Sequence, residues 1–326
     1  MKTASALDLI RRPSTLTLGI ELPIDNDWSP EGEARRVADG RPRGVPDLSR
    51  HAALVRQIDD AGFAALWIRD VPVFDAINMG DAGSVYDVFA HLGYLAGVTR
   101  HVALGTAAVV LPIRHPMMTA KAAASVDALS GGRLILGVAS GDRPVEYPLL
   151  GLDFEARGAA FRDAVAYMRA AWTPGGLPVD GKRVAGLDVL PRPAQPHIPM
   201  IVAGRAQQDV AWIEANMDGR FVYPGPVERM AADAAHWHAT RGIGGAFVSA
   251  FHLDLLADAQ APMQPIRFGA RTGRTALVAH LTRLRDAGVD HLAINLRQSS
   301  RPIEEVLDEL ASILPTLDAA TSARAA

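Results

Sequence analysis

Two short segments carry the groups best suited to holding an anion. Ser140-Gly141-Asp142-Arg143 offers a hydroxyl, a cation and a glycine that lets backbone N–H groups come close to a ligand. Gly204-Arg205-Ala206-Gln207-Gln208 reads as a glycine-led loop opening a helix, where unpaired N–H groups and an arginine together make an anion site. Arg157, opening another predicted helix, can reach the same anion. Singly, each arginine is as well explained as a solvated surface residue. Three at one end of a fold point to a phosphate-bearing ligand.

Other common chemistries find no residues to perform them. Cys is 0, which removes disulfides, iron–sulfur clusters, thiolate zinc sites and cysteine nucleophiles together. Lysine occurs only at Lys2, Lys121 and Lys182, none of them at a predicted strand end, which argues against a Schiff base. The histidines are scattered, and His236 and His238, two apart on a predicted helix, face different sides, so no metal site is expected. There is no G-x-S-x-G elbow and no Walker-type loop. With Lys+Arg 33 against Asp+Glu 36 and no basic face, a nucleic-acid partner is not expected. The first residues, MKTASALDLIRRPS, are interrupted by Asp8, Arg11 and Arg12. The longest apolar runs, such as LGTAAVVLPI, fall well short of the roughly 20 residues that span a bilayer. The expectation is a cytoplasmic protein with no membrane partner. A protein without its own nucleophile or metal commonly works through a bound organic cofactor.

The elements that must position these groups alternate along the chain. With 326 residues and 49% apolar content, one to two domains are expected. Apolar runs of strand length fall at 15–22, 64–69, 101–110, 133–139, 200–203, 219–222, 246–253 and 290–296. They are continuous rather than alternating, as in parallel strands covered on both faces. Amphipathic stripes lie between them, such as Leu48, Ala52, Val55 and Ile58, or Leu277, Leu281 and Leu284. IDDAGFAALWI from Ile58 echoes LRDAGVDHLAI from Leu284, two copies of one helix–glycine–strand joint. Eight such units imply an α/β fold of the (β/α)8 TIM-barrel type, with the anion segments at its C-terminal face. An open doubly wound sheet is the alternative, but no strand is followed by G-x-G-x-x-G.

Residues 1–317 are expected to form a single barrel domain and 318–326 a frayed tail. Residues 26–47 and 257–274 read as insertion loops at the C-terminal face, either lids or tolerated surface insertions. A short hairpin around 183–190 is expected within 174–196. The apolar stretch 84–98, with Val85, Val88, Phe89, Leu92 and Leu95, suits either barrel packing or a homodimer contact.

GTAAVVLPIRHP, VDALSGGRLILGVASGD and LGLDFEARGAAFRD, with GFAALWIRD before them and PMIVAGRAQQDVAWIEANMDG after, resemble the bacterial-luciferase-like family of flavin-dependent oxidoreductases. The similarity runs from about Leu48 to Gly219 and resumes in the final αβ unit. RDVPVF and NLRQSSRPIEEVLDEL resemble a subgroup of simple luciferase-type oxidoreductases. The resemblance implies reduced FMN as cofactor, with an unidentified small organic substrate and, in some arrangements, a separate flavin reductase as partner.

Position by position, it implies that Asp70 is a carboxylate near the flavin. Ala107 and Ala108 would lie under the ring, joined in several members by a non-proline cis peptide. Ala139, Ser140 and Gly141 match contacts from the fourth strand. Arg157, Gly204, Arg205 and Gln207 match positions around the phosphate, and Tyr223 one near the ring. Many monooxygenase members carry a histidine directly after the carboxylate; here Val71 and Pro72 follow Asp70, so no proton can be exchanged there. His115 is a catalytic candidate in its place, although in the His-Pro motif it also suits a loop-ordering role. Hydride transfer therefore stands beside monooxygenation. Asp142, Arg143 and Glu146 are candidate substrate-facing groups. Two alternatives are a deazaflavin-dependent oxidoreductase and a non-catalytic flavin-binding protein.

Overall fold

The computed structural model describes residues 5–24, 29–43, 45, 47–75, 77, 86–179 and 181–318. Eight strands, Thr17–Glu21 (β1), Ala65–Ile68 (β2), Ala103–Thr106 (β3), Leu134–Ala139 (β4), Met200–Ala203 (β5), Gly219–Val222 (β6), Ala246–Leu255 (β7) and His291–Asn295 (β8), pair parallel in chain order. β8 pairs in turn with β1, Thr17 opposite His291, so the sheet closes into a (β/α)8 barrel. The expected strands agree with these to within a few residues. The third is the exception: it breaks after Thr106 and resumes at Val109–Val110.

Closure gives each strand an inside and an outside, and successive residues alternate between them. Ala65, Trp67, Ala103, Ile135, Ile201, Phe221, Ala246, Val248, Ala250 and Ala293 form one buried cluster in the lumen. Their neighbours Leu66, Ile68, Leu104, Leu134, Leu136, Met200, Val202, Leu292 and Ile294 pack outward into a second cluster with the helices. The lumen is filled to contact. A Cβ on Gly105 would stand 2.4 Å from the Trp67 ring, so the glycine makes room for the indole.

A short helix, Leu7–Ile10, closes the N-terminal end of the barrel by adding Ala6, Leu7 and Ile10 to the lumen cluster. A polar chain crosses that floor. Trp67 Nε1 donates to His291 Nε2 at 2.9 Å, and His291 Nδ1 lies 2.7 Å from Thr17 Oγ1. The indole has only a proton to give, so Nε2 accepts and Nδ1 carries the imidazole proton. The Thr17 hydroxyl is then left to donate to the Ile10 carbonyl at 2.5 Å. Burial pushes the His291 imidazole down to about 3, and it stays neutral.

The LSGGR segment is a fastening rather than a site. Asp127 accepts from Gln195 N at 3.0 Å and Gln195 Nε2 at 2.7 Å. Arg133 donates to the carbonyls of Ser130 and Val102, both at 2.8 Å, and of Thr99 at 3.0 Å. Helix Pro116–Leu129 is thereby tied to the start of β4 and the loop before β3. The echoed joints form as expected, with Gly62 and Gly288 both left-handed (φ 88° and 83°) before β2 and β8.

Other expectations need amending. The hairpin within 174–196 pairs Leu177–Val179 with Lys182–Val184, earlier than 183–190. Gly181 supplies the left-handed turn (φ 74°), whereas Pro191, Pro193 and Pro196 cannot donate to a ladder. Segment 257–274 contains a β hairpin: Gln264–Ile266 folds back on Gly269–Thr272, which pairs parallel with the upper half of β7. Segment 26–47 contains a helix, Pro30–Ala38, whose N-cap Ser29 Oγ accepts from Gly32 N at 2.9 Å; residues 26–28, 44 and 46 lie outside the described residues. In 84–98 the helix starts at Val88, where Asp87 caps it, and Val88, Leu92 and Leu95 are fully buried in the core. Its apolar face is used within the chain; Ser84 and Val85 fall outside the described residues, as do 319–326.

Unfolding exposes His291 to solvent, where it takes up a proton near its ordinary value of about 6.5. Because the unfolded state then binds the extra proton, stability is retained above that pH and falls as the pH drops from about 6.5 toward 3. One such group contributes a slope of about 1.4 kcal/mol per pH unit. Urea denaturation between pH 7.5 and 4.5 should show this decline, and His291→Asn should remove one proton's share of it. An equal slope in the variant would mean that His291 is not the group responsible.

Candidate active site

The alternation that fills the lumen also dictates what stands on the rim where the strands end. The next inward positions are Glu21 on β1, Arg69 after β2, Ala107 after β3, Ala139 on β4, Ala203 on β5, Tyr223 after β6, His252 on β7 and Asn295 on β8. Ala107 and Ala203 pack on the lumen cluster, which confirms their inward side. The rim divides in two. Three consecutive strands, β3 to β5, present only methyl groups, whereas β7, β8, β1 and β2 present charged or polar ones. Those three positions themselves carry nothing longer than Cβ.

The Ala107–Ala108 peptide is cis, in agreement with expectation. Asp70 is buried next to it on the outward side of the chain. Arg114 Nε donates to Asp70 Oδ2 at 2.9 Å and an Arg114 terminal nitrogen to Oδ1 at 2.6 Å, while Val110 N donates to Oδ2 at 3.2 Å. Burial alone would weaken the hold of Arg114 on its proton; the hydrogen bonds and charge of Asp70, with those of Asp87, outweigh it and raise the guanidinium's pKa. Asp70 is thus the fixed anchor of the loop 107–114 through a forked ion pair. Arg114 escaped sequence reasoning, although it stands in the quoted motif directly before His-Pro. His115 is exposed and caps helix Pro116–Leu129, its Nδ1 accepting from Met117 N at 3.3 Å.

After β4, Ser140 is buried and its carbonyl accepts the Tyr147 hydroxyl. Gly141 is left-handed, and a Cβ there would lie 2.8 Å from both the Tyr147 hydroxyl and Val110 Cγ1. Packing against Tyr147 and Val110 therefore requires glycine at this position. Asp142 is exposed, whereas Arg143 and Glu146 are buried. Glu146 is 1% exposed with no well-formed hydrogen bond to either carboxyl oxygen. Burial raises its pKa and the charges of Asp70 and Asp142 raise it further, against Arg143 and the Val73 backbone, which pull it down.

After β5, Gly204, Ala206 and Gln207 are all left-handed, with φ of 62°, 45° and 60°. Two of the three are not glycine, an arrangement proteins keep mainly at functional sites. Helix Arg157–Trp172 starts against this loop: a Cβ on Gly158 would lie 2.9 Å from Gln207 Cβ. Ala156 gives the helix no side-chain cap, so its first N–H groups have no side-chain acceptor. Gln208 bridges the two elements, donating to the Gly158 carbonyl at 2.9 Å and the Ala206 carbonyl at 2.7 Å, and accepting from Arg162. Arg157 stacks 3.6 Å from the Phe154 ring centroid, with its Nε buried and unpartnered. A cavity of about 570 Å3 opens here, lined by Glu155, Arg157, Gly158, Ala159, Arg162, Asp163 and Gln207.

The expected residues therefore fall into groups. Ala107 and Ala139 share the methyl half of the rim with Ala203. Arg157 and Gln207 meet at the cavity with Gly158 and Arg162, while Gly204 and Arg205 stand exposed on the loop beside it. Tyr223, 65% exposed, stacks on Phe268 from the 264–272 hairpin, ring centroids 4.3 Å apart.

Residues 19–287 match the description of the luciferase-like monooxygenase family. The chain belongs to that family. Among curated luciferase-like relatives, the F420-dependent glucose-6-phosphate dehydrogenase of Beutenbergia cavernae is 38% identical over 118 residues, 34% of this chain and 34% of that protein. The oxygenase component of the flavin-dependent trigonelline monooxygenase of Acinetobacter baylyi is 34% identical over 116 residues, 35% of this chain and 31% of that protein. The chain spans about half the length, 51%, of other curated relatives. The crystal structure of monooxygenase RslO1 from Streptomyces bottropensis shares the fold, with a TM-score of 0.72 at 19% identity, covering 92% of this chain and 98% of that one.

Removing Arg114 strands the Asp70 carboxylate in a buried position with one N–H for company. Arg114→Met should cost about 3 kcal/mol, since breaking a buried pair is costlier than replacing it. Asp70→Asn combined with Arg114→Met should cost clearly less than the sum of the two single changes. A double-mutant cycle by urea denaturation measures this, and additive losses would contradict the pairing.

Proposed function

We propose that this protein is a flavin-dependent oxidoreductase that uses reduced FMN to transform a small organic substrate at the C-terminal rim of the barrel. The observation that carries this reading is the methyl half of the rim, Ala107, Ala139 and Ala203, next to the left-handed loop 204–207 and the uncapped start of helix Arg157–Trp172. Those features fit the two ends of a flavin mononucleotide. Small side chains admit a flat ring, and converging N–H groups with Arg157 and Arg205 suit a phosphate. When bound, reduced flavin supplies two electrons, to dioxygen for monooxygenation or as a hydride to an organic acceptor.

The chain's own residues bind and orient. Asp70 and Arg114 hold the Ala107–Ala108 loop in place, and His115 fixes the helix behind it. Gln208 keeps the two halves of the phosphate site together. Tyr223 and Phe268 form an aromatic wall at the rim, and the filled lumen below excludes water from that side. A separate flavin reductase would supply the reduced cofactor in the monooxygenase case.

One observation favours a second reading, hydride transfer with a deazaflavin coenzyme. Val71 and Pro72 offer no proton-transfer group after Asp70, while Glu146 is a buried carboxyl held toward its protonated form near that carboxylate. Such a group can deliver the proton that must accompany a hydride.

Titrating the full chain with FMN and with coenzyme F420, followed by fluorescence and by melting temperature, tests both readings. One coenzyme should bind and raise the melting temperature. Ala139→Phe, which fills the ring side, and Gly204→Val, which cannot keep the left-handed turn, should each weaken binding at least tenfold. Binding of neither coenzyme to the parent protein would overturn the proposal.

A further inference from the structure

We infer that the cleft between the 264–272 hairpin and the outer face of β7 binds the uncharged, aromatic part of the substrate. This rests on the reading that a coenzyme ring occupies the alanine half of the rim, which the cleft adjoins through Tyr223 and Phe268.

The hairpin builds the cleft. Alternation along β7 sends His252 inward to the rim and Phe251 outward, where it packs with the helix-side core. Above the pairing with β8, the upper part of β7 takes Gly269–Thr272 as its neighbour. A Cβ on Gly269 would stand 1.8 Å from the His252 carbonyl oxygen, so only glycine lets the hairpin lie directly on the strand. The His252 N–H donates to the Phe268 carbonyl at 2.9 Å and holds it there. Between the hairpin, Phe251 and helix Arg274–Asp286 an open cleft of about 400 Å3 remains, walled by Phe251, Met263, Ile266, Phe268, Ala270 and His280.

Phe268 joins this cleft to the rim. Its ring stacks on Tyr223 with centroids 4.3 Å apart and meets His252 edge-on at 5.7 Å. Ile266 pairs with Gly269, so Arg267 and Phe268 form the turn, and Phe268 is left-handed there (φ 60°). A turn position of that kind is ordinarily glycine or asparagine, and a bulky residue in it is an outlier found mainly at functional sites. Here the outlier stands as a shared wall between rim and cleft. A molecule in the cleft therefore has one end at the rim, beside the strand that follows Ala203.

The lining specifies the ligand. The volume suits a small organic molecule. Two phenyl rings and the Met263 thioether favour a flat aromatic group through edge, offset and sulfur contacts. No carboxylate, guanidinium or ammonium group lines the cleft, so a charged ligand would lose its water without compensation. His280 is the one polar side chain in the lining. It is half-buried with its ring 5.4 Å from that of Phe251, and it makes no hydrogen bond to another described residue. Burial, and then the charge of Arg283, lower its pKa, so at pH 7 it stands neutral, with one nitrogen to donate and one to accept. It can therefore receive a single hydroxyl or carbonyl of the bound molecule.

4-Ethylphenol serves as the probe, with ethylbenzene lacking the hydroxyl and 4-ethylbenzoate carrying a charge, each titrated calorimetrically into the full chain. 4-Ethylphenol should bind saturably and at least tenfold more tightly than 4-ethylbenzoate. Phe268→Ala, which removes one wall, should weaken 4-ethylphenol at least tenfold. His280→Phe keeps a ring and removes the hydrogen bond; it should weaken 4-ethylphenol several-fold and leave ethylbenzene unchanged, a split that a purely structural histidine would not produce. That variant carries the test should Phe268→Ala fail to fold. With FMN or F420 bound, 4-ethylphenol should also shift the coenzyme's absorbance, as a molecule reaching the rim must. No saturable binding, equal affinity for the phenol and the benzoate, or affinity that neither substitution alters overturns this inference and leaves the coenzyme reading intact. Phenol binding with no shift of a bound coenzyme overturns the assignment to the substrate. Phenol binding that depends on Phe268 and His280, in a protein that takes up neither coenzyme, overturns the coenzyme reading and leaves the aromatic cleft standing.

Discussion

Closure of the parallel sheet is the constraint from which the rest of this molecule follows. Once β8 pairs with β1, every strand has one face on the lumen and one on the helices, and a period of two decides which residue goes where. In the lower layers this alternation packs Trp67, Phe221, Ile135 and Ile201 against small partners. At the upper edge the same arithmetic, with no further instruction, places three alanines side by side and a group of charged residues opposite them. The proposed site is the top layer of the core, lined by methyl groups on one half and by polar or charged groups on the other.

The polar interactions divide according to what they anchor. The Trp67–His291–Thr17 chain joins β2, β8, β1 and the N-terminal helix at the floor. Asp127 with Gln195, and Arg133 with three carbonyls, tie β4 to its flanking loops. Near the rim, the fork between Arg114 and Asp70 holds the loop that carries the cis peptide. All of these are buried or half-buried groups with protein partners, so their role is to fix geometry. Glu146 differs, because its carboxyl is buried without a well-formed hydrogen bond to either oxygen. Unmatched polarity at a rim, unlike matched polarity in a core, is what a ligand can complete.

Much of the fold was legible in the chain, for local reasons. Helix–glycine–strand joints and continuous apolar runs each depend on a few neighbouring residues, and Gly62 and Gly288 behave as those neighbours require. The motifs around residues 105–116, 126–142 and 199–219 likewise marked the right strand ends. What they do there was only partly legible. The ordering role of His115 could be read from its place before Pro116, whereas the clasp formed by the LSGGR segment and the packing of Gly141 on Tyr147 and Val110 could not. The 264–272 hairpin was hidden because its strands are short and polar, and Gly269–Thr272 pairs with the distant upper half of β7 as well as with Gln264–Ile266.

The order of strands and helices, the absence of cysteine, and the glycine-marked turns were determined by the sequence itself, through composition and through residues close together along the chain. The ion pair of Asp70 with Arg114, the division of the rim into methyl and charged halves, and the meeting of Glu21 with Arg69, His252 and Arg297 were decided only by tertiary structure. Those groups lie tens to hundreds of residues apart. The long-range pairing that closes the barrel is what brings them within the few ångströms over which hydrogen bonds and charges act.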